Sequence, residues 1–362
     1  MARLRTITRK DKFLDQETLF RLLDDYISDG QIGKRTKKNG QRIRQGSLKT
    51  YIYLRRYLCD FSNEKSFSLK IYIDGNLTMN QKMVAKRYYT KFYWLFTEYL
   101  YHDLDCYDNY VGTVIRCLRS FFNYLNNERH INVGSYHRSF YVAREEIPIV
   151  ALSPEQLNYV IYDNSFHQLV QSKGLEQIKD IFVFGCTVAL RVSDLLDLTS
   201  MNLHKNRDGH YLRVKSKKTS THTNIKLPSY ATKIVQKYQQ TGSKLLPDVS
   251  PGMFNHRIKE LGKLLPEDFI MMKIREKRGE QVVIYKDPDT KTHYHLSDHL
   301  SSHTMRRTAI TTMLNLGMPE HMVRKISGHA PNSREFFRYV QLSQDALDKE
   351  TERIFESLKN YS

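Results

Sequence analysis

Several positions in the second half of the chain carry side chains suited to gripping an anion and moving a proton. Arg191 opens the run Arg191-Val192-Ser193-Asp194-Leu195-Leu196-Asp197-Leu198, directly after a strongly apolar stretch. Packing residues on both sides fix its backbone, and a rigid guanidinium can donate two parallel hydrogen bonds to one phosphate. Asp194, three residues on, is placed to hold other groups of such a site. Ser302-His303-Thr304-Met305-Arg306-Arg307 sets a histidine and an arginine three apart at a helix start, on one face. The imidazole can take or give a proton near neutral pH, and the guanidinium is a second phosphate clamp. Gly328-His329-Ala330 follows a helix end, and ten residues later Tyr339 lies inside Phe336-Phe337-Arg338-Tyr339-Val340. Taken singly, each has an ordinary reading. An Arg–Asp pair stitches a helix end, a histidine three before an arginine is common, and a tyrosine between Phe337 and Val340 is packing.

The elements that must position these groups can be read from periodicity and punctuation. Ser153-Pro154-Glu155-Gln156 starts a helix, with Ser153 as cap, Pro154 at the first position and Gln156 closing a capping box. Ile178 to Leu190 is an apolar helix leading into Arg191. Asn206-Arg207-Asp208-Gly209 signals a turn, and Leu212 and Val214, then Ile225 and Leu227, bracket a polar loop from Lys215 to Thr223, predicting a β-hairpin. A second two-strand pattern, 281–285 and 292–296, straddles Asp287-Pro288-Asp289. Helices are predicted over 304–316, ending at Gly317, and over 319–327, ending at Gly328. The tail 343–358 places Leu347, Ile354, Phe355 and Leu358 on one face, to pack on its own domain or on a neighbouring protomer.

Upstream lies a different kind of chain. Helical patterns run over 15–28, 47–61, 80–102 and 108–127. The third is crowded with Tyr88, Tyr89, Phe92, Tyr93, Trp94 and Phe96, which at this spacing read as core more readily than as base-stacking platforms. Residues 30–46 form a loop rich in Lys, Arg and Gly whose charges can lie along phosphates. Residues 129–150 lack helical rhythm and read as a linker. The predicted organisation is therefore a basic segment over 1–46 with one short helix, a helical domain over 47–128, the linker, and a domain over 151–362. The fold class is mainly α with a small β component (α+β).

Charge narrows the partner. Lys and Arg number 57 against 39 Asp and Glu, a formal charge of +18, which implies a polyanion, most simply nucleic acid. No apolar run approaches the length of a membrane span and Met1 leads into a charged stretch, so a soluble, cytoplasmic, nucleoid-associated protein is expected, with no membrane partner. Cys59, Cys106, Cys117 and Cys186 are widely spaced, form no CxxC pair and read as packing. His293 with His295, and His299 with His303, suggest zinc only weakly, because no cysteine lies nearby. No metal is expected.

Taken in order, the set resembles the active site of the tyrosine recombinases of the phage-integrase family: an arginine in a GxRxSDLLxL-like stretch, a lysine on a β-hairpin, HxxR, a histidine in an LGH-like turn and a terminal tyrosine. The motifs cover about residues 150 to 345, and the amino-terminal half matches only as a helical, basic DNA clamp. The resemblance implies that Arg191 and Arg306 bind phosphate, that His303 and His329 are the two histidines and that Tyr339 is the nucleophile. The lysine is Lys218, where Lys218-Thr219-Ser220 stands for the usual KTG, with Lys217 and Lys215 as alternatives. Departures are Leu190 before Arg191, Ser327 where leucine is common before Gly328-His329, a His329–Tyr339 gap about one residue longer than usual, and the extra hairpin ahead of His303.

Family chemistry follows as an expectation. Tyr339 attacks a DNA phosphate to give a 3′-phosphotyrosine and a 5′-hydroxyl, which stores the bond energy and requires no cofactor. A tyrosine hydroxyl with a pKa of about 10 needs help to lose its proton, for which His303 is the candidate. Arg191, Arg306 and His329 stabilise charge on phosphorus, the lysine protonates the leaving oxygen, and Asp194 supports. The implied partners are double-stranded DNA and a homotetramer on paired DNA sites; whether an accessory DNA-bending protein takes part is left open. A type IB topoisomerase and a catalytically silent DNA-binding regulator are the alternatives.

Overall fold

The computed structural model describes residues 11–37, 39–217, 221–239, 243–330, 333–341, 348, 351–352 and 355–356. By its internal contacts the chain forms two units, residues 1–147 with 274–283, and residues 148–273 with 284–362. Among the described residues no helix is long and apolar enough to cross a membrane.

Among the described residues the first unit is built on four α-helices. Asp15 caps α1 (Gln16–Gln31), its carboxylate accepting from the Thr18 N–H at 2.9 Å, and buries the stripe Leu19, Leu22, Leu23, Tyr26 and Ile27. That stripe enters one core with α2 (Gln45–Glu64), α3 (Met79–Glu98) and α4 (Asp108–Asn127), so the helix of the basic segment is part of this body. α3 starts at a capping box between Thr78 and Gln81 and runs on into a π turn, Tyr99–Asp103. Tyr89, Phe92 and Phe96 are buried, whereas Trp94 is 56% exposed, so the aromatic run is mostly core. Two short strands, β1 (Phe13–Leu14) and β2 (Ile71–Tyr72), pair antiparallel. Residues 129–147 are not bare chain: Ile131, Val133 and Phe140 sit in the same core. At Gly112 a Cβ would stand 1.9 Å from the Ala143 carbonyl oxygen, so only glycine admits this segment against α4. In the loop between α1 and α2, Arg35 folds back over the Tyr26 ring, 3.5 Å from its centroid, instead of pointing into solvent.

The second unit opens with α5 (Pro154–Tyr162), whose Ser153–Gln156 capping box is formed as read, then α6 (Asn164–Ser172) and α7 (Glu176–Val188). The short α8 (Val192–Leu195) precedes a three-stranded antiparallel sheet of β3 (Leu203–Asn206), β4 (Gly209–Lys215) and β5 (His222–Lys226). β4 and β5 are the predicted hairpin, with Leu212 opposite Ile225; β3, too polar to show alternation, adds an edge. α9 (Ser229–Tyr238), α10 (Pro251–Gly262), α11 (Leu296–His299), α12 (Ser302–Asn315), α13 (Glu320–Ser327) and α14 (Arg334–Gln341) complete it. α7 runs through a core of Ile181, Phe182, Phe184, Leu195, Leu212, Phe254, Ile258 and Met305. The tail reading at Leu347, Ile354 and Leu358 falls outside the described residues, and Phe355 is exposed.

The second hairpin corrects the sequence reading. β7 (Glu280–Ile284) pairs with β6 (Lys273–Lys277), not with 292–296. Arg278 and Gly279 both have positive φ, 56° and 80°, the two-residue turn whose twist matches that of the strands. The Asp287-Pro288-Asp289 stretch closes a separate small loop, with Lys286 N–H bonded to the Thr292 carbonyl at 2.8 Å. Residues 294–296 instead meet 269–271, through Met271 N–H to Tyr294 O at 2.8 Å and Leu296 N–H to Phe269 O at 3.0 Å.

Within the first unit the β6–β7 turn is held by two buried carboxylates. Glu145 accepts from Arg275 at 3.0 and 2.6 Å and from the Glu276 N–H at 2.8 Å. Asp108 accepts from the Arg278 and Gly279 N–H groups at 2.7 and 2.9 Å and from the Tyr101 hydroxyl at 2.6 Å. Burial alone would raise the pKa of Glu145, but the hydrogen bonds from Arg275 and Glu276 outweigh it and hold it below the usual carboxylate range.

Candidate active site

The site is assembled in the second unit around the end of α7. Ala189 terminates that helix in the left-handed conformation, φ 55°. The turn aims the Ala189 carbonyl at α12, where it accepts from Arg306 Nη1 at 2.8 Å. It also sets Arg191 at the N-cap of α8 with extended backbone. α12 can lie this close to α7 because Gly185 faces it: a Cβ there would stand 2.4 Å from Met305 Sδ and 3.1 Å from Leu195 Cδ2. Arg306, next to Met305, is consequently drawn inside and is 7% exposed.

Behind Arg191 is a relay that anchors the sheet to α8. Arg191 Nη1 donates to Ser216 Oγ at 3.0 Å, and Ser216 Oγ donates to Asp194 Oδ2 at 3.1 Å. The other Asp194 oxygen accepts the Lys217 N–H at 3.1 Å. Strand alternation puts Leu212, Val214 and Ser216 inward and Arg213 and Lys215 outward. The Lys217 ammonium pairs with Asp197 at the surface. Lys218 lies outside the described residues.

His329 is delivered by the end of α13. Gly328 has φ 64°, a left-handed cap, and a Cβ there would meet Thr221 Oγ1 at 2.8 Å, so the turn needs glycine twice over. The His329 ring lies against Arg306 Nη2, 3.3 Å from Nδ1 and 3.2 Å from Nε2, and its Nδ1 is 2.8 Å from Ser327 Oγ. Phe336 and Tyr339 of α14 close the other side, their rings 5.3 and 6.0 Å from the imidazole. Arg324 fastens this corner: it pairs with Glu320, donates to Ala330 O at 3.1 Å and stacks on Phe336 at 4.2 Å.

The electrostatics are those of a pocket built for negative charge. Burial, then Arg306, Arg191 and Arg324, push the His329 pKa down to about 3, so the ring is neutral near pH 7. Burial, then Arg191, lower Arg306 to about 10, against the opposing influence of Tyr339, Asp194 and Glu335. It remains cationic at neutral pH, at a cost that an incoming anion would relieve.

Of the residues singled out in the sequence, Arg191, Arg306, His329 and Tyr339 come together, and Asp194 stands behind Arg191. His303 is exposed on the first turn of α12, one turn before Arg306. Sequence reasoning missed Ser216, Ser327 and Arg324. Only Ser327 carried a signal, as the departure from leucine. Two of the histidines weighed for a metal have structural partners: His295 Nδ1 meets the Asp268 carbonyl at 2.8 Å and His299 Nε2 the Met271 carbonyl at 2.9 Å. Among the described residues no group of three or more His, Cys, Asp or Glu is placed to hold a metal.

Solved structures with this fold include a lambda integrase tetramer bound to a Holliday junction, 13% identical with a TM-score of 0.58 over 91% of this chain and 78% of that one. A lambda integrase fragment, residues 75–356, solved as a dimer bound to a COC′ core site, is 12% identical with a TM-score of 0.58 over 90% and 95%. The Tn1549 transposon integrase in complex with transposon right-end DNA is 15% identical with a TM-score of 0.52 over 93% and 99%. No curated protein matches the chain. The model of the phage integrase family matches residues 164–345, half of the chain and the stretch that supplies every member of the pocket. The chain belongs to the phage integrase family of tyrosine recombinases.

Proposed function

We propose that this protein is a site-specific DNA recombinase, an integrase, that cleaves and rejoins strands through a 3′-phosphotyrosine on Tyr339. The observation that carries the reading is the meeting of two guanidinium groups, an imidazole and a phenol from four separate elements in one cationic pocket, with Arg306 held at 2.8 Å by the Ala189 carbonyl. A tyrosine that served only as packing would gain nothing from the buried Arg306, whose desolvation is unfavourable.

The Tyr339 oxygen attacks phosphorus, its proton passing toward His303, and the bond to the 5′ oxygen breaks. Arg191 and Arg306 hold the non-bridging oxygens, and charge that builds on them in the pentavalent state meets donors already in place. The leaving oxygen takes a proton from a lysine of the β4–β5 loop. Lys217 is engaged by Asp197 and Lys215 faces outward at the end of β4, which favours Lys218. Asp194 and Ser216 keep Arg191 aimed. Religation runs the same steps backward with a different 5′-hydroxyl, so no nucleotide cofactor is needed.

The helical unit and its basic loop would supply phosphate contacts to duplex DNA, in keeping with the charge of +18. Two duplexes exchanged strand by strand call for four subunits. The lambda integrase tetramer on a Holliday junction supports that assembly here, and an accessory DNA-bending protein is compatible with it. Nicked suicide duplexes carrying the DNA that flanks the native gene test the proposal: the wild type becomes covalently linked and Tyr339→Phe does not. A wild type that binds the duplex but never becomes linked would favour a silent regulator.

A further inference from the structure

Ser327 occupies the position at which the sequence departs from the usual motif, and its hydrogen bonds decide the state of His329. Its hydroxyl has one hydrogen and three neighbours, the Val323 carbonyl at 2.7 Å, His329 Nδ1 at 2.8 Å and, at the longer distance of 3.4 Å, the Arg324 carbonyl. A carbonyl oxygen cannot donate, and two oxygens at that distance with no hydrogen between them repel. The hydroxyl hydrogen therefore points to Val323, and Ser327 Oγ offers only lone pairs to the imidazole. Nδ1 must carry the ring hydrogen. Arg306 Nη2, 3.3 and 3.2 Å from the two ring nitrogens, can serve whichever one is bare and so does not choose.

We propose that Ser327 is a positioning residue that locks His329 as the Nδ1–H tautomer, so that an oxyanion bound between Arg191 and Arg306 is accompanied by one proton, taken from solvent onto His329 Nε2. The proposal rests on the reading of this pocket as the phosphate site. A bare Nε2 facing an anionic oxygen is repelled; once protonated it becomes a donor. The groups around the ring explain why it waits. Arg306 on α12, Arg191 at the head of α8 and Arg324 on α13 all oppose an imidazolium before an anion arrives, and Tyr339 on α14 packs its ring beside the imidazole. Asp194 and Glu335 act on Arg306 and only partly offset that field. An oxyanion neutralises the same cations and removes the opposition. One N–H bond forms from a solvent proton, and no bond of the anion breaks.

Sulfate is the probe, because it stays a dianion throughout the range of interest. For the full chain at constant ionic strength, between about pH 5.5 and 8, wild-type affinity should tighten by up to about tenfold per unit fall in pH, the signature of one linked proton. In Ser327→Ala the ring can keep its hydrogen on Nε2 and accept from Arg306 at Nδ1, so the pH dependence should flatten. A second measurement needs no variant. Long-range proton–nitrogen spectra of the histidine rings should show Nδ1 protonated and Nε2 bare without sulfate, and both protonated with it. An Nε2–H ring in the sulfate-free protein, or wild-type binding with no proton uptake, would overturn the proposal. So would sulfate binding that persists unchanged in Arg306→Met, which would mark an adventitious ion only. A protein that links covalently to DNA yet holds the Nε2–H ring sinks this inference alone. The expected ring in a protein that never cleaves sinks the functional reading alone.

Discussion

Arg306→Met should make the protein more stable and almost inactive. The guanidinium is 7% exposed, surrounded by Arg191 and the neutral His329, and its pKa falls from 12.5 to about 10. A cation with a lowered pKa is still charged at pH 7 in both folded and unfolded chains, so the folded state carries the whole penalty. At about 1.4 kcal/mol per unit this is roughly 3 kcal/mol. Methionine retains much of the stem volume and forfeits the hydrogen bonds to the Ala189 carbonyl and the His329 ring, about 1 kcal/mol each. The net gain is on the order of 1 kcal/mol, a rise in Tm of about 2–4 °C for a domain of this size. Urea denaturation measures it directly, and added sulfate should stabilise the wild type but not the variant. Covalent capture of suicide DNA should fall by about 10²–10³ or more, as for loss of a transition-state donor. A variant that loses 3 kcal/mol or more, or one that still cleaves normally, would refute the view that Arg306 is held in the pocket for an anion.

Three further outcomes follow from the packing and the charges. Glu145→Gln leaves Arg275 without its bidentate partner beside a side chain that is 1% exposed, so the first unit should lose about 3 kcal/mol, with amide exchange accelerated over 273–284 and unchanged in β4 and β5. Gly185→Ala forces a methyl to within 2.4 Å of Met305 Sδ, which should cost about 1–3 kcal/mol and lower cleavage by displacing Arg306, read by thermal melting and DNA capture on the same sample. Because the His329 pKa is pushed down to about 3, the folded protein binds fewer protons than the unfolded chain between there and the ordinary histidine value. Stability should therefore decline as pH falls from about 6.5, by less than about 1.4 kcal/mol per unit given partial solvent screening, and urea midpoints should show a shallower decline in His329→Asn.

Much of the fold was legible where the signal is local. α4 begins and ends as its apolar stripe predicts, the capping box at Ser153 forms, and Gly328 caps α13 in the left-handed conformation. Motif order alone was enough to single out Arg191, Arg306, His329 and Tyr339, which share a pocket although no short window contains them. What escaped was long-range complementarity. Nothing near Arg275 announces Glu145, 130 residues earlier, or makes Asp108 the acceptor for the Arg278 turn, so the β6–β7 hairpin was paired with the wrong segment. β3 is nearly all polar and shows no alternation. Ser216 looks like one more loop serine until strand parity turns it toward Arg191, and Ala189 gives no hint of a positive φ, since the residue type disfavours it.

Where the covalent link forms is the most direct test. The chain has 24 tyrosines, so loss of activity in one variant does not by itself identify the nucleophile. Digesting the trapped protein–DNA complex and sequencing the nucleotide-bearing peptide by mass spectrometry does. The account predicts a single adduct, on Tyr339, joined to a 3′ phosphate with a 5′-hydroxyl on the released strand. An adduct on any other residue, or one joined to a 5′ phosphate, would contradict it.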